Sequence, residues 1–100
     1  MQDISLPKAA KVLIIGGGVV GCSVAYHLAK LGWKDILLLE RKQLTSGTTW
    51  HAAGLIAQLR ATQNMTRLAK YSQELYTSLE AETGVATGFR QNGSITAALS

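Results

Sequence analysis

The run Gly16-Gly17-Gly18-Val19-Val20-Gly21 restricts what this chain can fold into more than any other stretch. It follows directly on Val12-Leu13-Ile14-Ile15, a short, wholly apolar and partly β-branched segment. Such a run suits a strand buried on both faces of a parallel sheet. Val19 to Leu31 then reads as a helix of small and apolar residues, closed by Gly32 at its C′ position. Ile36-Leu37-Leu38-Leu39 is a second buried strand, and it ends on Glu40. The pattern is a βαβ start carrying G-x-G-x-x-G at 16, 18 and 21, with the acid nineteen residues beyond the last glycine.

Each position has a mechanical reason. Gly16 permits the tight turn out of the strand, Gly18 lets backbone approach a pyrophosphate, and Gly21 lets the helix lie against the strand. Val19, Val20 and Gly21 open the helix, whose unpaired N–H groups and partial positive charge favour phosphate. Glu40 is placed to accept hydrogen bonds from an adenosine ribose, and its charge opposes a 2′-phosphate. A plain strand-to-helix turn is the alternative, since glycines also serve ordinary turns. The strand, helix, second strand and terminal acid all stand where a dinucleotide fingerprint requires them.

The rest of the composition excludes several classes. A chain of 100 residues with 47% hydrophobic content is a small globular unit able to bury a modest core. Residues 1–10 form an N-terminal lead, and residues 11–100 one oxidoreductase-type α/β unit. The net charge of +4 comes from basic residues scattered without a stripe or block, which argues against nucleic acid. No apolar run reaches membrane-spanning length. Met1 to Ala10 is too short and polar for a signal peptide and holds no Arg-rich presequence, so the expected location is the cytoplasm. Cys22 is the single cysteine and cannot form an internal disulfide; inside the first helix it reads as a small hydrophobe.

In the first helix, Val20, Val24, Leu28 and Leu31 mark an apolar face widened by Ala25 and Ala29. His27 has no second ligand at metal spacing and reads as a satisfied helix histidine; Trp33 is expected to cap the edge of the core. After Glu40 the character changes. Leu44 to Leu55 (LTSGTTWHAAGL) is dense in hydroxyls and small residues around Trp50 and His51. Its hydroxyls and N–H groups can reach phosphate or ribityl oxygens. The plainer reading is a Ser/Thr-rich loop with a core Trp and a solvent His. Ala52 to Leu59 is expected to open a short helix. Asn64 to Thr83 is an amphipathic helix with Met65, Leu68, Ala69, Ser72, Leu75, Tyr76 and Leu79 on one face, capped by Asn64 and ended by Gly84. Asn92-Gly93 is a turn signal, and Ile95 to Leu99 reads as a strand.

The segments VLIIGGGVVGCSVAYHLAKLGW, ILLLERKQLTSGTTWHAAGL, LEAETGVATGF and QNGSI resemble the N-terminal part of the sarcosine and dimethylglycine dehydrogenases. These are FAD-dependent enzymes of the D-amino-acid-oxidase-like superfamily, and the resemblance runs from about Lys11 to the end. It implies a Rossmann-like FAD-binding βαβ unit, cut before the substrate domain. It places Gly16, Gly18, Val19, Val20 and Gly21 along the pyrophosphate, and Glu40 with Arg41 at the adenosine end. Gly47, Thr48, Thr49, Trp50, His51, Ala52, Ala53, Gly54 and Leu55 would follow the ribityl chain and the flavin ring. His51 matches the histidine that in such enzymes carries flavin covalently through the 8α-methyl carbon.

The implied reaction passes a hydride equivalent from the N-methyl group of a small N-methylamine to flavin, with an electron acceptor that the sequence does not identify. Some members add a region that binds tetrahydrofolate; none of it lies within these 100 residues, which alone are expected to be inactive. Two rival readings stand beside this one. A non-catalytic relative, similar to the regulatory subunit of pyruvate dehydrogenase phosphatase, would have no need of a flavin-linking histidine after Trp50. In an amino-acid oxidase with non-covalent FAD, His51 would be incidental.

Overall fold

The structure is a computed structural model that describes residues 5–56, 60–95 and 97–98. The chain divides into two units, Met1–Ala53 and Gly54–Ser100. In the first, strand β1 (Val12–Ile15), helix α1 (Val19–Lys30) and strand β2 (Ile36–Leu39) follow one another. The two strands are parallel, paired from Val12 with Ile36 to Ile15 with Leu39. The pairing continues past both ends: Lys11 N–H donates to the Asp35 carbonyl (3.1 Å), and Gly16 N–H to the Leu39 carbonyl (2.8 Å). The α/β reading and its strand bounds are what the apolar runs predicted.

The C-terminus of α1 closes as the glycine at 32 requires. Gly32 N–H donates to the Ala29 carbonyl and Trp33 N–H to the Leu28 carbonyl, each at 3.0 Å, with Gly32 at φ 92°. These are the two bonds of a Schellman motif, which satisfies carbonyls left open at a helix end.

The packed face of α1 differs from the expected one. Val20 is 73% exposed and Leu31 77%, while the half-buried line runs through Gly21, Cys22, Ala25 and Leu28. Gly21 fixes that rotation. A Cβ there would run into the Gly16 carbonyl oxygen and lie 3.4 Å from Ile14 Cγ2, so only glycine lets the helix settle on β1. Small residues spaced 3 and 4 apart then continue the contact, and the larger valines turn away.

The strands likewise show one covered face. Val12 and Ile14 are half-buried, whereas Leu13 is 54% and Ile15 81% exposed. Side chains alternate across a strand, and one crossover helix covers one face only. The burial on both faces expected for β1, and the modest core expected overall, are therefore not found. No hydrophobic side chain among the described residues is buried, and Trp33 is half exposed rather than set against a core.

The second unit contains helix α2 (Gln63–Thr83). Its N-cap is Thr62, not Asn64: the Thr62 backbone is extended, and its hydroxyl accepts the Met65 N–H at 3.2 Å. Asn64 lies inside the first turn. Gly84, at φ 73°, ends the helix as expected. Ala69, Ser72, Leu75, Tyr76 and Leu79 are half-buried on the predicted face, but Met65 and Leu68 are exposed. Tyr76 sits near Phe89, ring centroids 6.2 Å apart. The expected strand Ile95 to Leu99 is not seen among the described residues; Thr96 and Leu99 lie outside them. The described part of this unit holds no strand to pair with, and an unpaired strand leaves its backbone groups open. The expected helix opening at Ala52 is also absent over residues 52–56, and 57–59 lie outside the described residues.

The fit of α1 on β1 is testable at Gly21. In the full-length protein, Gly21→Ala is expected to lower stability by roughly 1–3 kcal/mol, the usual cost of overpacking. Chemical denaturation with an unchanged midpoint would show that the close approach is dispensable.

Candidate functional site

The glycine turn is tied together at Gly17, the single buried residue among those described. Its N–H donates to Glu40 Oε1 at 3.0 Å. Its carbonyl accepts the Thr45 N–H at 2.8 Å, and Cys22 Sγ lies 3.6 Å from the same oxygen. A Cβ on Gly17 would come within 2.6 Å of Leu44 Cδ2 and 3.1 Å of Glu40 Cβ. Gly17 occupies a variable place in the G-x-G-x-x-G pattern, so the motif gives no reason to single it out. The run of three consecutive glycines is the signal that would have found it. Gly16 makes the expected turn at φ 108°, with open space beside it.

Glu40 stands immediately after β2 and bridges two segments. Oε1 holds Gly17, and Oε2 accepts the Lys42 N–H at 2.8 Å. A carboxylate offers about four lone-pair directions, so both oxygens keep acceptor capacity for ribose hydroxyls. The N–H groups of Lys42 and Gly17 hold the Glu40 carboxyl below its ordinary value, aided by the nearby Arg41 charge and opposed by desolvation. Arg41 itself is exposed.

The loop after Glu40 returns to the glycine turn. Thr45 adopts φ 64°, a left-handed conformation rarely taken by a β-branched residue, while its N–H holds the Gly17 carbonyl. Thr48–His51 forms one 3₁₀ turn, with Trp50 N–H on the Gly47 carbonyl (3.1 Å) and Ala52 N–H on the Thr49 carbonyl (3.2 Å). Thr49 Oγ1 accepts the Val19 N–H at 2.9 Å. The same oxygen lies 3.0 Å from where a Gly18 Cβ would be. The Val20 and Gly21 N–H groups have no acceptor within the chain among the described residues. They are the donors left at the start of α1.

His51 is exposed, and its Nδ1 lies 2.9 Å from the Gly47 carbonyl. A carbonyl only accepts, so Nδ1 carries the proton in this contact and Nε2 is the other, outward nitrogen. Trp50 is 77% exposed and does not serve as the core residue of the plainer reading. Thus the structure brings Gly16, Gly18, Val19, Val20, Gly21, Glu40 and the turn Gly47–His51 into one unit with Ala52 and Ala53. Gly54 and Leu55 belong to the second unit, where Leu55 is exposed.

Other chemistry-bearing residues have ordinary partners. His27 Nδ1 lies 2.7 Å from the Ser23 carbonyl, the expected satisfied helix histidine. Cys22 is half-buried and free. A shallow hollow by Lys11, Leu31, Gly32, Trp33 and Lys34 lies at the other end of β1 from the glycine turn. Among the described residues there is no cluster of three metal-ligating side chains. No described helix is long and apolar enough to cross a membrane.

Comparison with known proteins agrees with this geometry. The family "DAO: FAD dependent oxidoreductase" matches residues 11–100. The chain is 54% identical over 86 residues to mitochondrial dimethylglycine dehydrogenase of Homo sapiens, covering 86% of this chain and 10% of that protein. It is 50% identical over 91 residues to mitochondrial sarcosine dehydrogenase of Homo sapiens, covering 90% of the chain and 10% of that protein. It is 48% identical over 97 residues to the mitochondrial pyruvate dehydrogenase phosphatase regulatory subunit of Mus musculus, covering 97% and 11%. The chain therefore spans about a tenth of the length of these relatives.

The Glu40 bridge has a pH signature. Because the folded carboxyl ionises at lower pH than the unfolded one, its contribution is complete above the ordinary value of 4.5 and is lost as pH falls through the lower folded value. In cofactor-free full-length protein, the stability gap between wild type and Glu40→Gln is expected to be flat above about pH 5 and to shrink below it. A gap that stays constant down to acid unfolding would contradict the bridge.

Proposed function

Since the chain belongs to the family of FAD-dependent oxidoreductases, we propose that β1–α1–β2 opens a Rossmann-like FAD-binding domain of an enzyme that oxidises N-methylated glycines such as sarcosine or dimethylglycine. One observation supports this most: the turn bearing His51 is docked on the N-terminus of α1, beside the glycine turn that Glu40 holds. The nucleotide half and the flavin half of one cofactor would need that juxtaposition.

The residues fit FAD. Val20 and Gly21 offer two N–H groups at the positive end of α1 for a pyrophosphate. The spare lone pairs of Glu40 suit the adenosine ribose, and a carboxylate there opposes a 2′-phosphate. His51 would carry the flavin covalently. With Nδ1 held on the Gly47 carbonyl, Nε2 is the nitrogen free to form that bond. Bound flavin supplies two-electron oxidation of the N-methyl carbon, and an electron-withdrawing link to its ring makes it a stronger oxidant. The amine site belongs to parts of the enzyme outside these residues. A second reading, a non-catalytic regulatory protein, is favoured by the identity to the mouse regulatory subunit across nearly the whole chain.

Acid denaturation of full-length holoprotein separates the two. The yellow colour is expected to stay with the precipitate, and mass spectrometry is expected to place flavin on the peptide bearing His51. His51→Ala should keep bound FAD through Gly16–Gly21 and Glu40 yet release all of it into the acid supernatant. Flavin released from wild type, or linked to another residue, defeats the assignment; a wild-type protein that holds no flavin supports the regulatory reading.

A further inference from the structure

The hydroxyl of Thr49 occupies a place no loop residue needs to occupy. It accepts the N–H of Val19, the first residue of α1, at 2.9 Å. Gly18, the helix N-cap, has no side chain to do so and makes no side-chain cap bond. The cap of the phosphate-facing helix therefore comes from thirty residues further along the chain. Helix N-cap side chains normally accept from the second or third N–H of the helix; Thr49 takes the first and leaves those of Val20 and Gly21 open.

The same residue sits in the turn that orients His51. Its carbonyl accepts the Ala52 N–H at 3.2 Å, and the turn's first carbonyl, Gly47, receives both Trp50 N–H and His51 Nδ1. Thr49 is half-buried, while its neighbours Thr48, Trp50 and His51 are exposed. Within residues 48–51 it alone has a side-chain bond to the glycine-turn and helix assembly.

We infer that Thr49 is a positioning residue: its hydroxyl bond to Val19 N–H fixes the 48–51 turn on α1, and thereby sets where His51 Nε2 stands relative to a nucleotide seated at that helix. The inference rests on the reading of His51 as the flavin-bearing residue. It assigns Thr49 no contact with the flavin. Loss of the tether leaves the glycine turn and Glu40 intact, because their bonds do not pass through Thr49. Nucleotide affinity and covalent attachment should therefore separate.

Full-length apoprotein made under riboflavin limitation is mixed with FAD, and bound and acid-stable flavin are followed separately. Thr49→Val is expected to bind FAD within about twofold of wild type but to attach it about tenfold more slowly, the scale of a lost helix cap. Thr49→Ser, which keeps the oxygen, should attach at close to the wild-type rate. A general loss of fold would depress both substitutions' binding together and leave no such split. Equal attachment rates for wild type and Thr49→Val overturn the inference, and so does a Thr49→Ser rate as slow as that of Thr49→Val. If wild type attaches no flavin, the His51 reading falls, and the tether is decided on the apoprotein by diethylpyrocarbonate labelling of His51. A rate changed several-fold in Thr49→Val and restored in Thr49→Ser upholds it, and an unchanged rate removes it.

Discussion

Everything the first unit builds passes through the backbone of Gly17. Its N–H is held by the carboxylate that ends β2, and its carbonyl is held by the loop that follows. No side chain fits there, because Leu44 and Glu40 already fill the space. One buried peptide group thus joins the end of one strand, the acid of the next and the returning loop. A buried N–H left without an acceptor is costly, so the Glu40 carboxylate has a structural task in addition to the ribose contact proposed for it. The two tasks are compatible because a carboxylate can accept more bonds than the two it makes here.

This knot is polar, and the apolar surfaces around it are only half covered. Leu13 and Ile15 on the open face of β1, and Val20, Val24 and Leu31 on the outer side of α1, remain exposed. A helix that is apolar on two sides and a strand that is apolar on both faces are the composition of elements sandwiched between layers. The stability of the local arrangement comes from parallel pairing, the close seat of Gly21 and the hydrogen bonds at the turn, with little burial to help.

Much of this was legible in the residues because short-range rules governed it. Four consecutive apolar residues, three glycines and a closing acid specify strand, turn and strand, and the observed bounds follow them. Rotation of α1 was misread because valine periodicity was weighed above the steric demand of Gly21 on the Gly16 carbonyl. The cap at Thr62 was missed because Asn64 is an equally good capping residue, and only backbone geometry decides between them. Ile95 to Leu99 has strand composition, but pairing needs a neighbour that local sequence cannot supply. In the site, the glycines, Glu40 and the 47–51 stretch were all visible as residue types. Their joining through Gly17 and Thr49 was not, since it depends on contacts made across more than twenty residues.

The central claim is that the glycine turn, Glu40 and the His51 turn form one cofactor cradle. A crystal structure of the full-length protein with its flavin tests it most directly. The account predicts the pyrophosphate on the N–H groups of Val20 and Gly21, the adenosine ribose on Glu40, and the flavin ring at His51. A dinucleotide bound away from the N-terminus of α1, or one whose ribose does not meet Glu40, would contradict it.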